Sequence, residues 1–265
     1  MNSANVSLHG VRRQFGSTDI YLSPLGLGTV KLGRNTGVKY PQTFHIPDDA
    51  AAANLIAHAH ALGINLIDTA PAYGTSEERL GNLLRGQRNE WVICTKVGEE
   101  FENGESHYDF SAEHTRLSIE RSLKRLQTDY LDIVLIHSDG SDLAIIENGA
   151  ALTVLEQCKH EGLIRAYGMS TKTVEGGIAA AKISDAVMAT YHIDYTVEQP
   201  VLDFCGVQRK GVLIKKAFAS GHTADPDAAL RFVLRQHSVS SVIAGTINPQ
   251  HLQQNVAAAF SADSD

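Results

Sequence analysis

The strongest constraint in this sequence is a rhythm. From the run LGLG at residues 25–28 onward, a short apolar segment is followed by a longer helix-like one about eight times. Strict alternation of this kind leaves two architectures, a closed (β/α)8 barrel or an open doubly wound sheet. The chain has 265 residues, and an α/β barrel typically needs about 250. Count and length therefore favour a single α/β domain over residues 1–265, a (β/α)8 TIM barrel. An open dinucleotide-binding sheet would carry G-x-G-x-x-G between a strand and a helix, and no such run is present. No composition shift or low-complexity segment marks a domain boundary.

The elements are readable from their punctuation. Asp48 or Asp49 caps an alanine-rich helix that Gly63 stops. The strand INLID follows, then a short helix with Leu80, Leu83 and Leu84 on one face. Ser111 begins a helix on which Leu117, Leu123 and Leu126 form the apolar stripe. YLDIVLIH is solidly apolar, as befits a strand covered on both faces. A helix is expected within 196–206, and residues 35–47 read as loop. Asp225 with Pro226, and Asn248 with Pro249, are N-cap and N1 pairs.

Composition narrows the function classes. Hydrophobic residues make up 43% and the formal charge is -7, which argues against general nucleic-acid binding. Cys94, Cys158 and Cys205 form no C-x-x-C pair, so neither a disulfide framework nor a zinc site is expected. MNSANVSLHGVRR lacks a leader-like apolar core, and no apolar run is long enough to span a bilayer. A soluble, cytoplasmic, metal-free protein is expected.

In a barrel, chemistry collects at the C-terminal ends of the strands. The residues falling there are Asp68, with Tyr73 in its loop, then Lys96, His137, Ser170, Lys215 and Lys216, and finally Gly245 and Thr246. Each has an ordinary alternative: a capping carboxylate, a loop aromatic, a solvated lysine, a core histidine. Four titratable groups facing one cavity would be costly without a purpose. Together they suit carbonyl reduction. An ammonium beside a phenol lowers its pKa, and a carboxylate holds that ammonium in place. A histidine donates a hydrogen bond to the substrate oxygen. No side chain supplies a hydride, so a nicotinamide cofactor is implied. The helix beginning after IAGTINPQHL offers an anion site at its N-terminus, near Gly245, Thr246 and Asn248.

These residues sit in motifs that resemble the aldo-keto reductases over nearly the whole chain. The resemblance rests on LGLGT (25–29), GINLIDTAPAYG with SEERLG (63–81), TKVG (95–98), SLKRLQTDYLDIVLIH (122–137), KHEGLIRAYGMS (159–170) and AGTINPQHLQQN (244–255). It implies an NAD(P)H-dependent barrel enzyme that reduces a small-molecule aldehyde or ketone. The family's catalytic aspartate, general-acid tyrosine, lysine and histidine match Asp68, Tyr73, Lys96 and His137. For the cofactor it implies Gly28, Thr29 and Val30, the rim carboxylate Asp68, Ser170 with Thr171, and Lys215 and Lys216. It also implies Phe218, Ser220, Gly245, Thr246, Asn248, His251, Gln254 and Asn255.

Several positions depart from the family pattern. Thr171 stands for asparagine, Met188 for glutamine, and Lys215 for the tyrosine that stacks on the nicotinamide. Gly245 and His251 stand where a lysine and an arginine hold the 2′-phosphate in NADP-preferring relatives. NADPH is favoured, with NADH admitted, and a monomer is expected. The chain ends soon after its last helix, which implies an open pocket shaped by residues 98–110 and 139–148. Two rival readings are an NADPH-binding sensor with little turnover and a Schiff-base aldolase using Lys96.

Overall fold

The computed structural model describes residues 6–264. The first five residues, at the head of the stretch without a leader-like core, and Asp265 lie outside the described residues. An antiparallel hairpin, β1 (Arg13–Gln14) and β2 (Tyr21–Leu22), comes first. The barrel starts at β3 (Leu25–Gly28), followed by one helical turn, α1 (Val30–Gly33), and α2 (Asp49–Ala61). β4 (Leu66–Asp68) leads to α3 (Ser76–Leu83). β5 (Val92–Val97) leads through a second hairpin, β6 (Glu99–Glu102) and β7 (Glu105–Tyr108), to α4 (Ala112–Leu126). β8 (Leu131–His137) is followed by α5 (Asp142–Asn148) and α6 (Ala150–His160), and β9 (Ile164–Ser170) by α7 (Val174–Ile183). β10 (Ala186–Thr190) precedes α8 (Gln199–Gln208), and β11 (Gly211–Lys215) precedes α9 (Pro226–Leu234). β12 (Ser241–Ala244) hands over to α10 (Pro249–Ser264).

β3, β4, β5, β8, β9, β10, β11 and β12 pair in that order, all parallel, and β12 pairs back onto β3. The closed barrel expected from the alternation is what the chain forms. Parallel pairing puts every strand's C-terminal end at one rim. Gly28 lies opposite Asp68, and His137 opposite Ser170. The helix starts follow the sequence punctuation. Asp48 accepts from the Ala51 N–H at 2.8 Å, which decides between the two candidate aspartates. Asp225 accepts from the Ala228 N–H at 2.9 Å. Each such cap contributes about 1 kcal/mol.

Two apolar cores result. The larger lies between strands and helices. The smaller fills the barrel itself, with Leu66, Cys94, Ile133, Leu135, Met188 and Leu213. The β1–β2 hairpin contributes Phe15, Ile20 and Leu22 to that interior core. The sequence did not announce this plug, because two-residue strands are too short to show a period. The motif carboxylate Asp132 is likewise spent on the fold. It is 1% exposed and accepts from Arg88 at 2.8 Å, Arg165 at 2.6 Å and the Ile93 N–H at 2.9 Å. A buried carboxylate stays charged only with such partners.

Some expectations are corrected. Leu117 is 55% exposed, so it is not part of the packed stripe of α4. The buried face is Thr115, Ser118, Ile119, Ser122 and Leu126. Small residues win there because α3 and α4 approach closely: a Cβ on Gly81 would lie 2.1 Å from the Arg125 carbonyl. Residues 98–110 hold the β6–β7 hairpin, and α5 occupies much of 139–148. No helix among the described residues is long and apolar enough to cross a membrane.

Phe15 is fully buried. Phe15→Ala is expected to lower the unfolding free energy by about 3–5 kcal/mol in urea denaturation. A loss under about 1 kcal/mol would mean that the hairpin does not plug the barrel.

Candidate active site

Asp68 ends β4 with its backbone clamped. Its carbonyl accepts from the Thr29 N–H at 3.0 Å and the Thr29 hydroxyl at 2.8 Å. Ser76 Oγ donates to Thr29 Oγ1 at 2.8 Å, and Thr69 Oγ1 donates to Ser76 Oγ at 3.0 Å. This chain of buried hydroxyls ties three rim segments together. It explains the Thr after Asp68 and the Ser that opens α3. The Asp68 carboxylate is thereby aimed inward, where Lys96 Nζ reaches Oδ1 at 2.6 Å. Lys96 also donates to the Thr69 carbonyl at 2.8 Å. Side-chain exposure is 1% for Lys96 and 4% for Asp68, so the pair is shielded from water.

Tyr73 closes a 3-10 turn, Pro71–Tyr73, that begins directly after the strand rim. α1 presses on this turn: a Cβ on Gly33 would lie 2.2 Å from the Tyr73 carbonyl. Lys96 Nζ lies 4.9 Å from the centre of the Tyr73 ring. The Lys96 ammonium is held above the ordinary lysine range. Burial pulls it down, but the charge of Asp68, aided by Tyr73, outweighs that. The Tyr73 phenol is raised above its ordinary value. Burial is the main cause, Lys96 pulls the other way, and Asp68 adds to the rise. The expected lowering by Lys96 is thus present in sign but overruled by desolvation. Tyr73 carries its proton at neutral pH.

His137 ends β8, its ring perpendicular to that of Tyr73 with centroids 6.3 Å apart. Its Nδ1 lies 2.6 Å from Glu99 Oε2. Burial holds the imidazole below its ordinary pKa, while Glu99 opposes and the charges of Lys96 and Lys215 assist. Glu99 was not singled out from the sequence. The only signal was its place directly after TKVG.

These groups line one cavity of about 1160 Å³ at the rim. Most of the positions named for a cofactor also line it: Gly28, Thr29, Val30, Ser170, Lys215, Lys216, Phe218, Ser220, Gly245, Thr246, His251, Gln254 and Asn255. Thr171 and Asn248 do not. Thr171 is fully buried and packs toward Gly177. Asn248 is occupied as a cap, its Oδ1 accepting from the Gln250 N–H at 2.9 Å. Lys215 donates to Ser170 Oγ at 2.8 Å and to the Thr171 carbonyl at 2.7 Å. Burial, followed by the charge of Lys216, pushes Lys215 down to about 7, with Glu198 opposing.

The sequence also missed part of the cavity wall. Lys31, Lys39, Tyr40 and Lys172 all line it. Tyr40 reaches over Gly245, where an added Cβ would lie 2.9 Å from its hydroxyl. Lys31 sits 4.0 Å from the centre of the Tyr40 ring. The size of the cavity and the cations on its wall fit a phosphate-bearing dinucleotide.

A family model described as the aldo/keto reductase family matches residues 24–214. A solved Pseudomonas aeruginosa structure described as a candidate aldo-keto reductase is 55% identical, with 97% of each chain covered and a TM-score of 0.90. Aldo-keto reductase AKR11C1 from Bacillus halodurans, in its holo form, is 26% identical over 93% of this chain and 90% of that one, with a TM-score of 0.80. Among curated relatives, the NADH-specific methylglyoxal reductase of Escherichia coli is 27% identical over 92% of this chain and 91% of its own length.

Removing one partner of a buried ion pair strands the other. Lys96→Met is expected to cost about 3–5 kcal/mol of stability, and Asp68→Asn in the same background should recover part of it. Urea denaturation of both single variants and the double variant checks this. Simple additivity would contradict the buried pair.

Proposed function

The chain belongs to the aldo/keto reductase family, and from that membership we propose that it reduces an aldehyde or ketone carbonyl to the alcohol. The observation that carries this reading is the buried Lys96–Asp68 pair beneath Tyr73, with His137 across the same cavity. The family uses NAD(P)H, and bound cofactor supplies the hydride. The other steps fall to side chains. Tyr73, together with His137 as its imidazolium, hydrogen-bonds the substrate oxygen and orients the carbonyl. Tyr73 then gives its proton to that oxygen as charge builds there. Lys96 stabilises the phenolate left behind, and Asp68 keeps Lys96 charged and aimed.

The residues present suit the cofactor. Ser170 and Lys215 offer polar groups near the catalytic set for the nicotinamide end. Lys216, Phe218 and Ser220 would serve the pyrophosphate. Gly245, Thr246, His251, Gln254 and Asn255 would serve the adenosine end. We favour NADPH over NADH. The further cations Lys31 and Lys39 on the cavity wall support this, since a charge-assisted bond to phosphate is about twice as strong as a neutral one. Lys96 is a poor Schiff-base nucleophile, because its ion pair with Asp68 keeps it protonated.

Tyr73→Phe is expected to lower kcat for aldehyde reduction by about 10²-fold or more, with cofactor affinity unchanged. A near-normal rate would remove Tyr73 as the acid. Calorimetric titration is expected to give tighter binding for NADPH than for NADH. The reverse order would overturn the cofactor assignment.

A further inference from the structure

Glu99 and His137 come from different excursions of the chain, one from the hairpin after β5 and the other from the end of β8. Glu99 is 8% exposed. One of its oxygens accepts from Ser106 Oγ at 2.6 Å across the hairpin. The other lies 2.6 Å from His137 Nδ1, off the line of an ideal N–H···O bond. A nitrogen and an oxygen this close cannot both present lone pairs, so one of the two carries a proton. Glu99 is held down to about 2. Burial opposes this, but the hydrogen bond and charge of His137, the Ser106 hydroxyl and the Arg34 charge outweigh it. The proton therefore belongs to Nδ1.

An imidazole protonated at Nδ1 carries a bare lone pair on Nε2 when it is neutral. His137 lines the cavity while its Nδ1 is buried, so Nε2 is the edge left for a ligand. We infer that Glu99 is a positioning residue that locks His137 in the Nδ1–H tautomer. Neutral His137 then offers substrate an acceptor, and only its imidazolium can donate to a carbonyl oxygen. The consequence rests on the reductase reading. The tautomer does not.

Charged groups from several elements around the ring bear on this switch. Glu99 favours the imidazolium, whereas Lys96 from β5 and Lys215 from β11 oppose it. Tyr73 stands edge-on to the ring. Arg34, Ser106 and Tyr108 act on Glu99 or are acted on by it. Carbonyl reduction should therefore fall as pH rises through the midpoint of His137. Alcohol oxidation should gain, because a hydroxyl can donate to Nε2.

The test is ¹⁵N NMR of the histidine side chains of the full chain, without cofactor or substrate, over about pH 5 to 8. His137→Asn supplies the assignment. The expected spectrum of neutral His137 shows a protonated Nδ1 and a bare Nε2. Glu99→Gln is expected to lower the midpoint by about one to three units, and to move the alkaline limb of kcat for reduction the same way. An Nε2–H tautomer in the wild type would overturn the inference, as would an unmoved midpoint in Glu99→Gln. The wild-type spectrum decides the tautomer even if the variant fails to fold. It also decides it if the chain reduces no carbonyl, so failure of the tautomer and failure of the reductase reading are separable.

Discussion

The Lys96 ammonium rests on the Asp68 carboxylate at 2.6 Å, with both side chains almost wholly out of water. An isolated charge at either position would be expensive, and the pair is tolerable only because its geometry is held from several sides. Thr29 and Ser76 fix the Asp68 backbone, and the Thr69 carbonyl accepts a second hydrogen bond from Lys96. The rim order follows from this. β4 and β5 must be neighbours in register, with Asp68 opposite Cys94, for a lysine two residues on to reach the carboxylate. The barrel supplies that neighbourhood, and the pair in turn sets the charge that Tyr73 feels.

Desolvation makes this arrangement selective for one protonation state. Burial raises the Tyr73 phenol and Lys96 only partly offsets it, so the phenol rests with its proton in place. The help Lys96 gives is worth most once the phenol has lost that proton, because a full negative charge then stands beside the ammonium. In the proposed reduction that would be differential stabilisation of a late state over the resting one. Around this centre the wall of the cavity is cationic although the chain carries a formal charge of -7. The local field thus favours an anionic ligand against the charge of the whole molecule.

Much of this was legible in the sequence. Strand ends such as Asp68, Lys96 and His137 stood out because an apolar run stopped at a polar group, and the barrel gathers such ends at one rim. Caps such as Asp225 before Pro226 were readable because their chemistry is local. What escaped depended on tertiary contact. Phe15 and Leu22 enter the barrel from a hairpin whose two strands have only two residues each. Leu117 looked like part of a stripe, but small residues on another face of α4 allow closer packing, and the close approach decides which face is buried. Glu99 lay in a run of acidic residues that resembled a solvated loop, and only the hairpin fold turns it back onto His137. Thr171 shows the converse: its place in the sequence suggested a ligand-facing side chain, yet the fold turns it into the core.

The most direct measurement follows the hydride. The protein would be incubated with NADPH carrying deuterium at both positions of nicotinamide C4 and an aldehyde such as 4-nitrobenzaldehyde, and the alcohol analysed by mass spectrometry. A single deuterium on the carbinol carbon is the result this account predicts. An alcohol without deuterium, or no alcohol from NADPH or NADH with any of a broad set of aldehydes and ketones, would contradict it.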